Sequence, residues 1–200
     1  TGAVYSIFDR NKHLIDNIPF DIKMETLLIG IDFNVMNCNA VVAVKDGDKL
    51  FVIDEITKQN DTDALAQEIK RRYPTNRILV YPDASGAARS TINASKTDIA
   101  ILEGYGFSSM ALRSNPPIKD RVQTLQALLE NSKGWVRLAI HASCRRLIEC
   151  LELQSYDEKS GDPDKQNGYD HLNDALGYLV YREFNIIHAR AGRRTGIRIY

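Results

Sequence analysis

The sequence predicts an α/β domain with a mixed central sheet, three antiparallel strands followed by parallel ones, and helices on both faces. Two patterns carry that expectation. Three strand-like runs follow one another with connections too short for a crossover, so they read as a meander. The chain then alternates helical and extended segments, with proline, glycine and asparagine between them. Two hundred residues, 44% hydrophobic and 26% charged, are enough to bury a three-layer core.

The elements follow in order. Through Met24 the residues mix polar and apolar types without a clear period, and residues 1–24 read as a lead-in or interdomain linker ahead of a domain over 25–188. Leu27 to Phe33 is almost continuously apolar, as a central strand buried on both faces should be. Ala40 to Val44 and Leu50 to Ile56 flank a turn at Asp46-Gly47-Asp48, which makes them a hairpin. Asp61 opens a helix with Leu65, Ile69 and Tyr73 on one face, and Pro74 stops it. Ile78 to Tyr81 is a short buried strand ended by Pro82. The intervening helix lets it lie parallel to the first strand.

Ser90 to Tyr105 is expected to be helical in part, and Phe107 to Leu112 to form a fifth strand. After Pro116-Pro117, Ile118 to Asn131 carries Val122, Leu125, Leu128 and Leu129 on a helical stripe. Val136 to Ile140 reads as a short extended piece and Ser143 to Leu153 as a helix. A polar loop from Ser155 to Gly168 precedes a last helix from Asp170 to about His188. The tail over 189–200 holds Arg190, Arg193, Arg194 and Arg198 and no acid.

Charge and cysteine content narrow the function classes. Lys plus Arg number 26, as do Asp plus Glu, for a formal charge of zero. That argues against a constitutively tight nucleic-acid binder, which normally carries a basic excess. Cys38, Cys144 and Cys150 have neither metal-type spacing nor even pairing and read as reduced cysteines. No apolar run has membrane length, and the N-terminus lacks the order of a signal peptide.

Acidic residues at three places carry the chemistry. Asp32 is a lone charge inside the first apolar strand, where an unpaired carboxylate calls for a cation or for its own neutralisation. Its alternative is a turn cap at the strand end. Asp83 lies just past the strand Ile78 to Tyr81, at the edge where open α/β sheets place ligands. If the two strands are parallel, Asp32 and Asp83 are neighbours. The sequence Asp83-Ala84-Ser85-Gly86 is equally good turn chemistry. In the third cluster, Asp170-His171-Leu172-Asn173-Asp174, spacings of three and four put Asp170, His171 and Asp174 on one helical face. Asp170 also suits a helix cap. Small Ala175 and Gly177 would let this helix approach the sheet closely. Oxygen ligands with at most one imidazole suit magnesium or manganese rather than zinc, and a pair of such ions suits in-line attack on phosphate.

At these residues a resemblance enters. Gly30-Ile31-Asp32-Phe33, then Pro82-Asp83, then His171-x-x-Asp174-Ala175-Leu176-x-Tyr178 resembles the ribonuclease-H-like nuclease domain of tailed-phage, headful-packaging large terminases. Ile118-Lys119-Asp120-Arg121-Val122 and Cys144-Arg145-Arg146-Leu147-Ile148-Glu149 add to it, so it spans about Leu27 to Phe184. Holliday-junction resolvases and other ribonuclease-H-like nucleases share the acidic pattern. The resemblance implies a Mg2+- or Mn2+-dependent endonuclease acting on double-stranded DNA during viral genome packaging. It makes Asp32, Asp83 and Asp174 the catalytic metal ligands, with His171 or Asp170 supplementary and two ions expected during catalysis. It implies an N-terminal ATPase motor, a portal that the arginine tail docks on, a small terminase subunit, and work in the host cytoplasm. Gly177 departs from the pattern, since many relatives carry Arg there, and this is expected to alter a helix-surface contact. No Gly-x-x-x-x-Gly-Lys-Ser/Thr occurs, so the motor's phosphate loop is expected outside this chain.

Other signals are weaker. Asp162 to Gly168 fails as a calcium loop, because Pro163 is unsuitable and Asn173 stands where the closing Glu belongs. That leaves a solvated loop beside the third motif, a candidate lid. Trp135 is expected in the core rather than on a DNA-facing patch with Lys133, Arg137, Arg145 and Arg146. The rival function is a non-cutting ribonuclease-H-like module that positions DNA or a partner. A scaffold of that kind would have no reason to keep unpaired acids in a core. The charge balance makes its own prediction: without metal, the chain should bind duplex DNA weakly, and less as salt rises. Nanomolar affinity at physiological salt, measured by anisotropy, would contradict it.

Overall fold

The computed structural model describes residues 2–34, 37–84 and 97–184. In chain order the elements are α1 (Arg10–His13), β1 (Leu14–Ile15), β2 (Leu27–Asp32), β3 (Cys38–Asp46), β4 (Lys49–Gln59), α2 (Thr62–Arg72), β5 (Ile78–Pro82), α3 (Asp98–Gly104), β6 (Ser108–Ser109), α4 (Ile118–Leu129), β7 (Leu138–His141), α5 (Arg145–Leu153) and α6 (Asp170–Phe184). They form one seven-stranded sheet in the order β1-β7-β4-β3-β2-β5-β6. β2, β3 and β4 are an antiparallel meander, and β5 joins β2 in parallel. The mixed sheet, with helices on both faces, is the architecture expected from the element order.

Alternation along the strands decides which side chains meet the site. Leu27, Ile29 and Ile31 join one apolar cluster with Leu65 and Ile69 of α2 and Leu102 of α3. Leu28 joins the other, with Leu125 of α4, Leu147 of α5, and Ala175 and Leu179 of α6. Because successive strand residues point to opposite faces, Leu28, Gly30 and Asp32 all face α6. Tyr81 of β5 belongs to the same α6-side cluster. The two-residue period therefore aims Asp32 at the helix that carries the third acidic cluster.

Helix α6 lies so close to β2 that a side chain at Gly30 has no room. An added Cβ would sit 2.1 Å from the Ala175 carbonyl oxygen and 3.3 Å from the Leu179 Cβ. Ala175 thus makes the close approach to the sheet, as its size suggested. Gly177 does not: it faces α4, where an added Cβ would meet the Arg121 side chain at 3.6–3.8 Å.

Residues 2–24 depart from the reading as a lead-in. Val4, Tyr5 and His13 are buried, and β1 pairs in parallel with β7 through Leu14↔Ile140. Val4 N–H donates to the Gln154 carbonyl at 2.9 Å, and Gln126 returns a bond to the Val4 carbonyl at 2.7 Å. A two-residue strand has no period to read, so only the tertiary pairing reveals it. Trp135 is a second correction. It is 58% exposed, in the turn after α4, with the Lys133 ammonium 5.4 Å from its ring centre. The fifth strand is shorter than expected, Ser108–Ser109. Ser90 to Lys96, the end of α6 beyond Phe184 and the four tail arginines lie outside the described residues.

The Gly30 approach yields a test. Gly30→Ala should force α6 off the sheet and destabilise the fold by about 1–3 kcal/mol, as overpacking of a tight interior does. Urea unfolding would measure it. A variant as stable as the parent would mean that the helix stands further from β2.

Candidate metal centre

The parallel pairing of β2 and β5 brings two acids together. Ile31 pairs with Pro82, and the Asp83 N–H donates to the Ile31 carbonyl at 3.2 Å. Asp32 and Asp83 therefore stand side by side at the ends of neighbouring strands, both buried at 6% exposure. The turn after Asp83 is tied down by Asn115, whose Oδ1 accepts from Ala84 N–H at 2.6 Å. Burial pushes the Asp32 carboxyl above its ordinary pKa. A hydrogen bond from His171 opposes this, and the charges of Asp174 and Asp83 add to the rise. Asp32 is not an exposed turn cap.

The first turns of α6 cover this pair. His171 Nδ1 lies 3.0 Å from Asp32 Oδ2, 3.0 Å from Asn34 Nδ2 and 4.0 Å from Asp170 Oδ1. Asn34 also donates to the same Asp32 oxygen. The hydrogen bond to Asp32 is the main cause that raises the His171 pKa, against the opposing effect of burial. Asp170 is buried, and its carboxyl is pushed up chiefly by desolvation. Its Oδ1 is buried with no hydrogen-bond partner. An uncompensated buried carboxylate oxygen is costly. A cation bound against that oxygen would satisfy it.

Asp174 is engaged differently. Its Oδ1 accepts from Arg121 Nη1 at 2.7 Å, and Lys165 Nζ lies 3.8 Å from its Oδ2. The Arg121 side chain is 5% exposed and stacks 4.4 Å from the Tyr178 ring centre. No three His, Cys, Asp or Glu among the described residues are grouped closely enough to hold an ion as they stand. The pairing relieves the like-charge repulsion that Asp174 would otherwise feel from Asp32 and Asp170. The donor set itself, carboxylates with one imidazole and an orphaned buried oxygen, fits magnesium or manganese.

The structure thus gathers Asp32, Asp83, Asp170, His171 and Asp174 in one region, with Asp174 turned to an arginine. Two contributors escaped the sequence reading. Asn34 stands two residues past Asp32 with no signal of its own. Arg121 had one: it falls on the apolar stripe of α4, three residues after Ile118 and four before Leu125.

The pKa directions give a pH test. Asp32, Asp170 and His171 all hold protons more tightly folded than unfolded, so the folded state binds the extra protons and stability falls as pH rises. The carboxyl contribution is lost from the ordinary 3.8 upward, and the His171 contribution from 6.5 through its raised value. In EDTA the melting temperature should therefore drop between mildly acidic and mildly alkaline pH, and Asp32→Asn should flatten that drop. An equally steep profile in the variant would show that the Asp32–His171 contact does not set it.

A family model described as Terminase RNaseH-like domain matches residues 29–183. In fold the chain is similar to the large terminase of a thermophilic bacteriophage, with 18% identity and a TM-score of 0.72 over 92% of this chain and 45% of that one. It is also similar to the large-terminase nuclease domain of bacteriophage P22, with 16% identity and a TM-score of 0.68 over 91% and 93%. A third relative in fold is the large-terminase nuclease domain of bacteriophage SPP1 with bound Mn, at 17% identity and a TM-score of 0.57 over 85% and 95%. This chain spans 45% of the length of the first of these. No curated protein matches it in sequence. The family match takes in both strand-end acids and the helix that covers them, and the chain belongs to the Terminase RNaseH-like domain family.

Proposed function

We propose that this domain is a metal-dependent endonuclease that cuts double-stranded DNA during viral genome packaging. The observation that carries the reading is the convergence of buried acids where the ends of β2 and β5 meet the start of α6. Solved relatives support it. The SPP1 large-terminase nuclease domain binds Mn, and that of thermophilic phage G20c binds magnesium.

In this reading Asp32, Asp83 and Asp174 are the catalytic carboxylates that hold Mg2+ or Mn2+, with two ions during the reaction, and His171 supplements them. Bound there, the ions would polarise the phosphodiester and lower the pKa of the attacking water. The remaining work falls to the chain. Asn34 braces the Asp32 oxygen and His171 in one array. Arg121 holds one oxygen of Asp174 and leaves the other toward solvent and Lys165. Asp170 offers an additional oxygen that nothing else satisfies. Residues 25–188 form the catalytic domain, with the N-terminal segment packed on its edge. A large terminase of this fold has been seen with ADP, which supports an ATPase motor as the domain's covalent partner. The portal, the small terminase subunit and the host cytoplasm complete the proposal.

Purified chain should nick and then linearise duplex plasmid with Mg2+ or Mn2+, and should lose all cutting in excess EDTA. Undiminished cutting in chelator would rule out the metal mechanism. Asp32→Ala, Asp83→Ala and Asp174→Ala should each abolish cleavage. The first two should leave the fold intact, because removing one carboxylate relieves like-charge repulsion, whereas Asp174→Ala should lower the melting temperature by leaving buried Arg121 unpaired. His171→Ala should cost less, since an imidazole supplements the charge rather than balancing it. An inactive Asp170→Ala beside an active Asp174→Ala would exchange the roles of those two acids.

A further inference from the structure

A second feature lies two strands from Asp32 and is not part of the acid cluster. Asp32 on β2 pairs with Asn39 on β3. Opposite Asn39 the ladder with β4 slips: Cys38 pairs with Gln59 but Ala40 with Ile56, so β4 carries one extra residue. In that bulge stands Lys58 with φ +56, the one non-glycine residue with positive φ among those described. A lysine in the left-handed region is uncommon, because its Cβ crowds the backbone. Here the surroundings enforce it. The buried Asn39 accepts from Lys58 N–H at 3.3 Å through Oδ1 and donates to the Asn37 carbonyl at 2.6 Å through Nδ2. A bulge re-aims a side chain, and strain of this kind is retained where the position matters.

Lys58 lines a pocket of about 160 Å³ together with Asn37, Asn39, Arg146, Gly168 and His171. His171 is shared: its Nδ1 reaches Asp32 while the residue forms the pocket's wall. Arg146 is already engaged by Glu149, by the Gly168 carbonyl at 3.0 Å and by the Tyr169 ring at 4.8 Å. The start of α5 is likewise taken, since both Glu55 carboxylate oxygens accept from Arg146 and Leu147 N–H at 2.9 and 2.7 Å. Lys58 is different. It is exposed, and no carboxylate among the described residues pairs with its ammonium. Two strand spacings set its backbone about 10 Å from that of Asp32.

We propose that this pocket is a phosphate subsite in which Lys58 receives a DNA backbone phosphate next to the one that is cut. The ligand is a phosphodiester, recognised by the Lys58 ammonium, with the already engaged Arg146 guanidinium adding its charge to the pocket wall. This inference rests on the nuclease reading for the identity of its ligand. The chemistry fits the task. A carboxylate cluster repels the backbone it must cut, and a cation fixed beside it sets the register of the strand without reading its bases. Lysine acts here as a point charge, which tolerates any sequence.

The test is the binding of a short fluorescent duplex by the whole chain in EDTA, followed by anisotropy from about 50 to 200 mM salt. Lys58→Gly should weaken binding several-fold at low salt and reduce the slope of log affinity against log salt by about 1, the signature of one lost phosphate contact. Its melting temperature should not fall, because glycine adopts positive φ without strain. Lys58→Asn, which also tolerates this backbone, should give the same slope change, and Lys58→Arg should restore the parental slope. Affinity and slope unchanged in the glycine and asparagine variants would overturn the subsite. So would weaker binding with the slope unaltered, since the lost contact would then not be a phosphate, and so would a parent chain that binds no DNA. Should the glycine variant fail to fold, the asparagine variant is judged by the same criteria. If the parent binds and the slope falls but no cleavage occurs with Mg2+ or Mn2+, the subsite stands and the nuclease reading fails.

Discussion

Everything at the centre depends on how closely α6 lies against β2. Backbone meets backbone there: the Ala175 carbonyl occupies the space where any side chain at Gly30 would sit. That contact lowers the first two turns of the helix onto the strand ends and brings His171 within hydrogen-bond distance of Asp32. The strand supplies its half by alternation, with Gly30 two residues before Asp32 on the same face. Glycine is needed at this position for its missing side chain rather than for an unusual backbone angle. The same strand face that makes room for the helix also presents the acid to it.

The cost of that approach is electrostatic. Asp32, Asp83 and Asp170 are withdrawn from water, where each ionised carboxylate is poorly solvated and repels the others. The fold answers with hydrogen bonds at Asp32, with a guanidinium at Asp174, and at Asp170 Oδ1 with nothing. Asp32 and Asp170 hold their protons more tightly than free carboxyls and one Asp170 oxygen is unpartnered, so burial here is offset by a proton or by a cation. Arg121 is itself buried and leans on Tyr178, with its Nε lacking a partner. It reaches Asp174 across the small surface of Gly177. Gly177 thus sits where a cation from another helix passes over it.

Much of this was legible in the sequence, and what was not has physical causes. The central strand, the hairpin, α2 with its Asp61 cap, and the alternation that makes β5 parallel to β2 are all local patterns of period two or 3.6. The juxtaposition of Asp32 with Asp83 followed from that parallel pairing alone. The packing of residues 2–15 shows no sequence period because it comes from β7, α4 and α5, more than a hundred residues away, through segments of two to four residues. Trp135 is exposed because aromatic size favours the core only when the segment lies over one, and this residue sits in the connection between α4 and β7. Arg121 is legible as a charge on the apolar stripe of α4. Asn39 and Lys58 could not have been found, since the bulge that links them exists only in the pairing of β3 with β4.

Net charge is the wrong scale on which to judge how such a domain meets DNA. The balance of 26 basic and 26 acidic residues speaks for long range, but charges further apart than about 8 Å are screened at physiological ionic strength. Within that radius the surface is strongly divided. Acids collect at the ends of β2 and β5, while Arg121 and Lys165 reach Asp174, and Lys58 and Arg146 border the adjoining pocket. A polyanion approaching this face feels the border before the centre. Its phosphates would be drawn to the exposed Lys58 and Lys165 and repelled from the acids until those acids are neutralised. Attraction and repulsion therefore fall at different places on one face. On the nuclease reading, a neutral chain would hold a strand at the edge of the site and admit it to the centre once a cation is bound there.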